Sequence, residues 1–117
     1  MEKIKCAYVV WHKTHIILPQ VNRYTLGNKI DKLFIEIIGN VSAASFLPKE
    51  ERLPDVRKSI RKLDVLKILL MVLWETKSIT NKKYIEISSF LDEIGRMLGG
   101  WRNQILKQNS QTEVWEK

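Results

Sequence analysis

The sequence holds one cysteine, three prolines and five glycines in 117 residues, and each scarcity excludes something. A lone Cys6 rules out an intramolecular disulfide framework and is too little for a thiolate zinc site, which points to a reducing, cytoplasmic setting. Cys6 itself is expected to be a small, half-buried side chain. Pro19, Pro48 and Pro54 fall between stretches of helical period, where proline does least damage, and so act as punctuation. No stretch alternates apolar and polar residues between Asn-Gly or Asp-Gly turns, which leaves strands without support. The opening MEKIK leads into an apolar stretch broken by His12, Lys13 and His15, unlike the uninterrupted apolar region of a secretion signal. The longest apolar run, Ile68 to Trp74, has seven residues, far short of the roughly 20 that span a bilayer. No membrane partner is expected.

Catalytic patterns are equally lacking. There is no Ser-His-Asp order, P-loop, HExxH or close carboxylate pair on an apolar wall, so the chain is not expected to be an enzyme or to carry a cofactor. His12 and His15 lie three apart on one helix, but no Asp, Glu or third His is near them in sequence, and no metal site is expected. Tyr8, Trp11 and His15 read better as one packed stripe with a polar tip.

What is present suits a folded protein: 44% hydrophobic and 28% charged residues in 13.8 kDa, enough for one domain, 1–117, with one modest core. Apolar spacing predicts an all-α, up-down-up-down four-helix bundle with helices over 2–18, 20–45, 50–77 and 81–108 and a weakly docked tail, 109–117. Ile4, Ala7, Tyr8, Trp11, His15 and Leu18 form the first stripe; Leu26, Ile30, Leu33, Phe34, Ile37, Ile38 and Val41 form the second. Pro48 and Pro54 are both candidates for the first turn of helix three. Thr80 is the candidate N-cap of helix four, whose seam Tyr84, Ile87, Leu91, Ile94, Leu98, Trp101 and Ile105 steps by three and four. Helix three is amphipathic at Val56, Ile60 and Leu63 but apolar almost all round from Val65 to Trp74. A helix apolar on every side must be buried on every side, and oligomerisation is the natural way to do it.

Lys and Arg number 20 against 13 Asp and Glu, a formal charge of +7, which favours polyanionic partners such as RNA, DNA or an anionic surface. Arg57, Lys58, Arg61 and Lys62 of RKSIRK cover an arc of roughly 140° opposite the apolar stripe. That ridge is either a phosphate-neutralising surface or a solvated helix face. Lys67, on the apolar arc, must snorkel, pair or line an internal channel. Lys82 and Lys83 open helix four, where the macrodipole disfavours cations; they are phosphate contacts or simple surface charge. Gly95, Gly99 and Gly100 lie mid-helix at about 1 kcal/mol each relative to alanine, for which close approach of another backbone is the usual compensation, and Glu93 and Arg96 are spaced for an ion pair.

The stretch Glu93 to Trp101, EIGRMLGGW, resembles the last-helix pattern E-[IV]-G-R-x-L-G-x-W of the accessory variability determinant (Avd) proteins of diversity-generating retroelements. VNRYTLGNKIDKL and the leucine-rich third helix extend the resemblance over about Val21 to Ile105. Leu26 to Ile30 is also similar to the GxxRI pattern of four-helix proteins encoded in ribosomal-RNA intervening sequences, which belong to the same superfamily. The first resemblance implies a non-catalytic homopentameric barrel that binds a reverse transcriptase and its template RNA during mutagenic complementary-DNA synthesis. The second implies a structural or interaction bundle with no polymerase partner. By the first, Arg57, Lys58, Arg61, Lys62 and Lys67, with Lys82 and Lys83 added on charge, would meet nucleic acid or polymerase. Leu69, Val72, Trp74, Gly95, Arg96, Gly99, Gly100 and Trp101 would build the bundle and its interfaces.

Overall fold

The structure is a computed structural model that describes the backbone of residues 1–116 and the side chains of residues 1–110. Among the described residues it is all-α, with no strand. Helix α1 spans Glu2–His15. After Pro19 the chain makes a short turn, Gln20–Asn22, and a π-helical segment, Arg23–Gly27, and runs straight on into α2, Asn28–Phe46. A 3-10 turn, Lys49–Glu51, leads to α3, Leu53–Glu75, and the last helix, α4, is Asn81–Glu116. Each helix packs on the next, and α1 closes the ring against α4.

The core follows from the apolar stripes. Ile4, Ala7, Trp11 and Leu18 meet Ile30, Leu33, Phe34 and Ile37, with Leu63, Leu66, Leu70 and Leu73 and the seam Ile87, Leu91, Ile94 and Leu98 opposite. Each fully buried aliphatic or aromatic side chain there contributes about 1.5–3 kcal/mol. A second cluster of Ala44, Val56 and Ile105 continues the core towards the far end of α4. Trp11 stacks on Phe34 at 6.2 Å, and its indole N–H donates to the Asp31 carboxylate at 3.2 Å, so the largest core side chain leaves no polar atom unmatched. Buried Thr14 and Ser59 satisfy their hydroxyls on the carbonyls of Val10 and Asp55.

Local sequence explains the helix ends. Pro54 sits in the first turn of α3, and Pro48 precedes the 3-10 turn instead. Thr80 caps α4: its Oγ1 accepts the Lys83 N–H at 3.1 Å. At the end of α3 the Ser78 and Lys77 N–H groups return to the carbonyls of Leu73 and Trp74, the paired bonds of a Schellman turn, with Lys77 in the left-handed region at φ 62°.

Several expectations need correction. The first helix stops at His15 rather than 18, because the Ile17 and Leu18 N–H groups bond only three residues back, to Thr14 and His15. The second is interrupted by the π segment, and the third ends at Glu75 rather than 77. The fourth continues through the expected tail to Glu116: polar residues without a breaker extend a helix already nucleated by the bundle. The side chains of Val114 and Trp115 lie outside the described residues. Cys6 is exposed rather than half-buried, since Ile4, Ala7 and Trp11 take the inward face of α1.

Candidate nucleic-acid interface

The residues of α3 that carry RKSIRK split to two sides. Lys58, Arg61 and Lys62 border a groove between α2 and α3 that also holds Lys29 and Glu36. Its charge is partly cancelled, because Glu36 accepts Lys62 at 3.2 Å and lies 3.9 Å from Lys32. On the other side, Arg57 and Arg61 face α4 across a groove of about 470 Å³ lined also by Ile60, Arg102, Asn103 and Leu106. Among the described residues no acidic one lines it, Arg57 and Arg61 make no ion pair, and Arg102 donates only to the Asn103 side-chain oxygen at 3.3 Å. Three forked, permanently charged donors around one concavity are the arrangement that suits phosphate oxygens.

The antiparallel register of α3 and α4 brings this about. It stacks Trp74 on Tyr84 at 4.7 Å, pairs Lys67 with Asp92 at 3.4 Å, and, continued along the helices, places Arg57 and Arg61 against Arg102. Sequence reasoning missed Arg102. Its only signal was its place beside the seam residue Trp101, and its meaning depends on which turn of α3 lies opposite.

The other expected cations are elsewhere. Lys67 pairs rather than snorkels free, and it does so by crossing α4 at Gly95, where an added Cβ would lie 3.2 Å from its ammonium and 3.5 Å from Leu63 Cδ2. The glycine therefore admits a side chain of its own chain, not a second backbone. Lys82 and Lys83 begin α4, about 27 Å along the bundle from Arg57 as helix rise measures it, and Lys83 is engaged by Glu86 at 3.0 Å. The seven expected cations thus do not form one surface.

The expected interface residues divide as well. Trp74 is committed within the chain, stacked on Tyr84 and donating to Asn81 Oδ1 at 2.6 Å. Trp101 packs on both core clusters. Glu93 pairs with Lys3 of α1 at 3.0 Å rather than with Arg96, which is exposed. Around Gly99 and Gly100 nothing among the described residues, apart from the helix's own adjoining backbone, lies within 4 Å of an added Cβ. Leu69 and Val72 are half-buried, and beside them Val65, Ile68 and Met71 are exposed, so within one chain the apolar half of α3 is not covered on every side.

Among the described residues no three His, Cys, Asp or Glu side chains gather as a metal site, and no helix is long and apolar enough to cross a membrane. A family model described as bAvd-like matches residues 2–105, taking in α1 as well as the span over which the sequence motifs run. Comparison with curated proteins and with solved structures gave no match.

Proposed function

The chain belongs to the bAvd-like family, and from that premise we propose that it is a non-catalytic accessory protein of a diversity-generating retroelement. In this reading it binds the reverse transcriptase and its template RNA and so supports mutagenic complementary-DNA synthesis in the cytoplasm. The match over residues 2–105 carries the proposal. The groove of Arg57, Arg61 and Arg102 supports the nucleic-acid part, since it is concave and cationic and no carboxylate lines it among the described residues. Each arginine that neutralises a phosphate releases a counterion, so binding weakens as salt rises. Lys58 and Lys62 would extend the contact over the crest of α3, and Lys67 would add a cation midway along the bundle.

The accessory protein works as a homo-oligomer, a pentamer by resemblance, whose copies meet over the surplus apolar face of α3 and the open glycines of α4. Leu69, Val72, Arg96, Gly99 and Gly100 belong to that contact. It would give Val65, Ile68 and Met71 the partner that their exposure calls for.

The test is co-purification with the reverse transcriptase encoded beside the gene, together with titration of structured RNA. Capture of the polymerase and salt-sensitive RNA binding are expected. Replacing Arg57, Arg61 and Arg102 by alanine should lower the slope of log affinity against log salt by about 2–3, at roughly 0.7 per phosphate contact on a single strand and 0.9 on a duplex. A chain that binds neither polymerase nor RNA at low salt is not this accessory protein.

A further inference from the structure

The end of the bundle where α1 passes into the π segment and α3 turns into α4 is built unlike the rest of the surface. Ile17 is 77% exposed, Val21 81% and Tyr24 63%. Ile17 also lines an apolar notch of about 210 Å³, with Leu18 and Ile79 as its buried floor and Thr14, Thr80 and Lys83 around it. These pieces of chain, distant in sequence, are tied together. The Asn22 side-chain amide donates to the hydroxyls of Ser78 and Thr76, and the Arg23 guanidinium donates to the Leu18 carbonyl at 2.9 Å. The patch is therefore a held shape.

Its charge is one-sided. Lys13, Lys77 and Lys82, each next in sequence to a residue that lines the notch (Thr14, Ser78 and Lys83), are exposed, and none has a carboxylate partner among the described residues. Arg23 is half-buried, yet it too pairs with no carboxylate there, and its Nε is enclosed without any hydrogen-bond partner. A guanidinium drawn partly out of water while lacking an anion is an incomplete arrangement, since such groups are normally paired or fully hydrogen-bonded. Of the nearby acids, Glu86 is occupied by Lys83, which leaves Glu75 at the end of α3. The missing complement is a set of carboxylates accompanied by apolar side chains large enough to cover Ile17, Val21 and Tyr24.

We propose that this end of the bundle docks an acidic amphipathic segment of a partner protein, whose apolar residues cover Ile17, Val21 and Tyr24 while its carboxylates meet Arg23, Lys77 and Lys82. The inference rests on the accessory reading for the identity of that protein, the polymerase. It divides the labour of the two cationic regions: arginines of α3 and α4 for phosphate, and this end for protein. Phosphodiester backbone would satisfy the cations here but leave the apolar residues in water.

The experiment is an amide NMR titration of the full chain at low salt with a synthetic helical peptide of glutamate and leucine, repeated with its lysine counterpart, with single-stranded RNA and with anionic lipid vesicles. The acidic peptide should shift residues 16–24 and 76–83, and RNA should shift the surroundings of Arg57, Arg61 and Arg102. The double variant Val21→Glu, Tyr24→Glu, changed only at exposed positions, should weaken the peptide at least tenfold with its RNA affinity and its mass by light scattering unchanged. Absence of peptide binding, shifts confined to other residues, equal binding of the lysine peptide, or preference of this end for RNA or vesicles would each overturn the docking proposal. A fall in the variant's assembled mass would overturn it too, by making this end a contact between copies. If the peptide binds here while the polymerase and RNA are ignored, the accessory reading fails and the docking site stands.

Discussion

Glycine has opposite meanings at two positions of the same helical run. At Gly27 an added Cβ would lie 2.9 Å from His15 Cδ2, 3.0 Å from Leu18 Cδ1 and 3.1 Å from the Asn22 carbonyl oxygen. His15 cannot easily give way, since its ring is stacked on Trp11 at 5.2 Å. Gly27→Ala should therefore cost about 1–3 kcal/mol by overpacking. Gly39 meets nothing within 4 Å, so Gly39→Ala should stabilise by up to about 1 kcal/mol through helix propensity. Urea unfolding of the two variants checks the pair, and matching signs would refute the packing account. Tyr8 supplies a pH prediction. Burial raises its phenol above the ordinary 10.0, and a hydrogen bond and the negative charge of Asp31 raise it further. Between pH 10 and the higher folded value the unfolded chain loses this proton and the folded one keeps it, so stability falls as pH rises through that window. In Tyr8→Phe that part of the alkaline decline should vanish, measured as the midpoint of urea unfolding from pH 8 to 11.

At the scale of elements, helix existence and inward faces were legible, because apolar residues spaced by three and four have one economical explanation. The seam Ile87, Leu91, Ile94 and Leu98 lies buried as spacing demands. What spacing does not encode is the registry of one helix against another. For that reason Arg102 facing Arg57 and Arg61, Glu93 reaching Lys3 instead of Arg96, and Lys67 crossing at Gly95 were not readable in advance. The π segment was hidden too, since one extra residue per turn leaves the identities of the apolar residues unchanged. Of the candidate site, RKSIRK was visible as a run of charge, but the pairing of its Lys62 with Glu36 needed the fold. The turn joining α3 to α4 gives an element-scale prediction. Lys77 holds a left-handed conformation that disfavours side chains, and its N–H completes the Schellman pair. Lys77→Gly should thus stabilise by about 1 kcal/mol, seen as a higher unfolding midpoint with unchanged m-value. Destabilisation would mean that the lysine makes a contact worth more than the strain.

For the whole molecule, the surplus apolar surface and the open glycines make assembly the central expectation. If copies meet at Gly99 and Gly100, Gly99→Ala should lower the assembled mass in light scattering, because a methyl group would enter a close approach between chains. In an isolated chain the same change meets nothing within 4 Å and should only stabilise the helix, by up to about 1 kcal/mol. The choice of light scattering follows from α4. Thirty-six residues of continuous helix extend about 54 Å at 1.5 Å per residue, and this one element accounts for most of the longest dimension of a molecule measuring 58 × 20 × 20 Å. A rod of that axial ratio experiences more friction than a sphere of equal mass. A lone protomer would therefore elute early from a sizing column calibrated with globular standards and be counted as something larger, while a compact ring of several copies would be counted more nearly correctly.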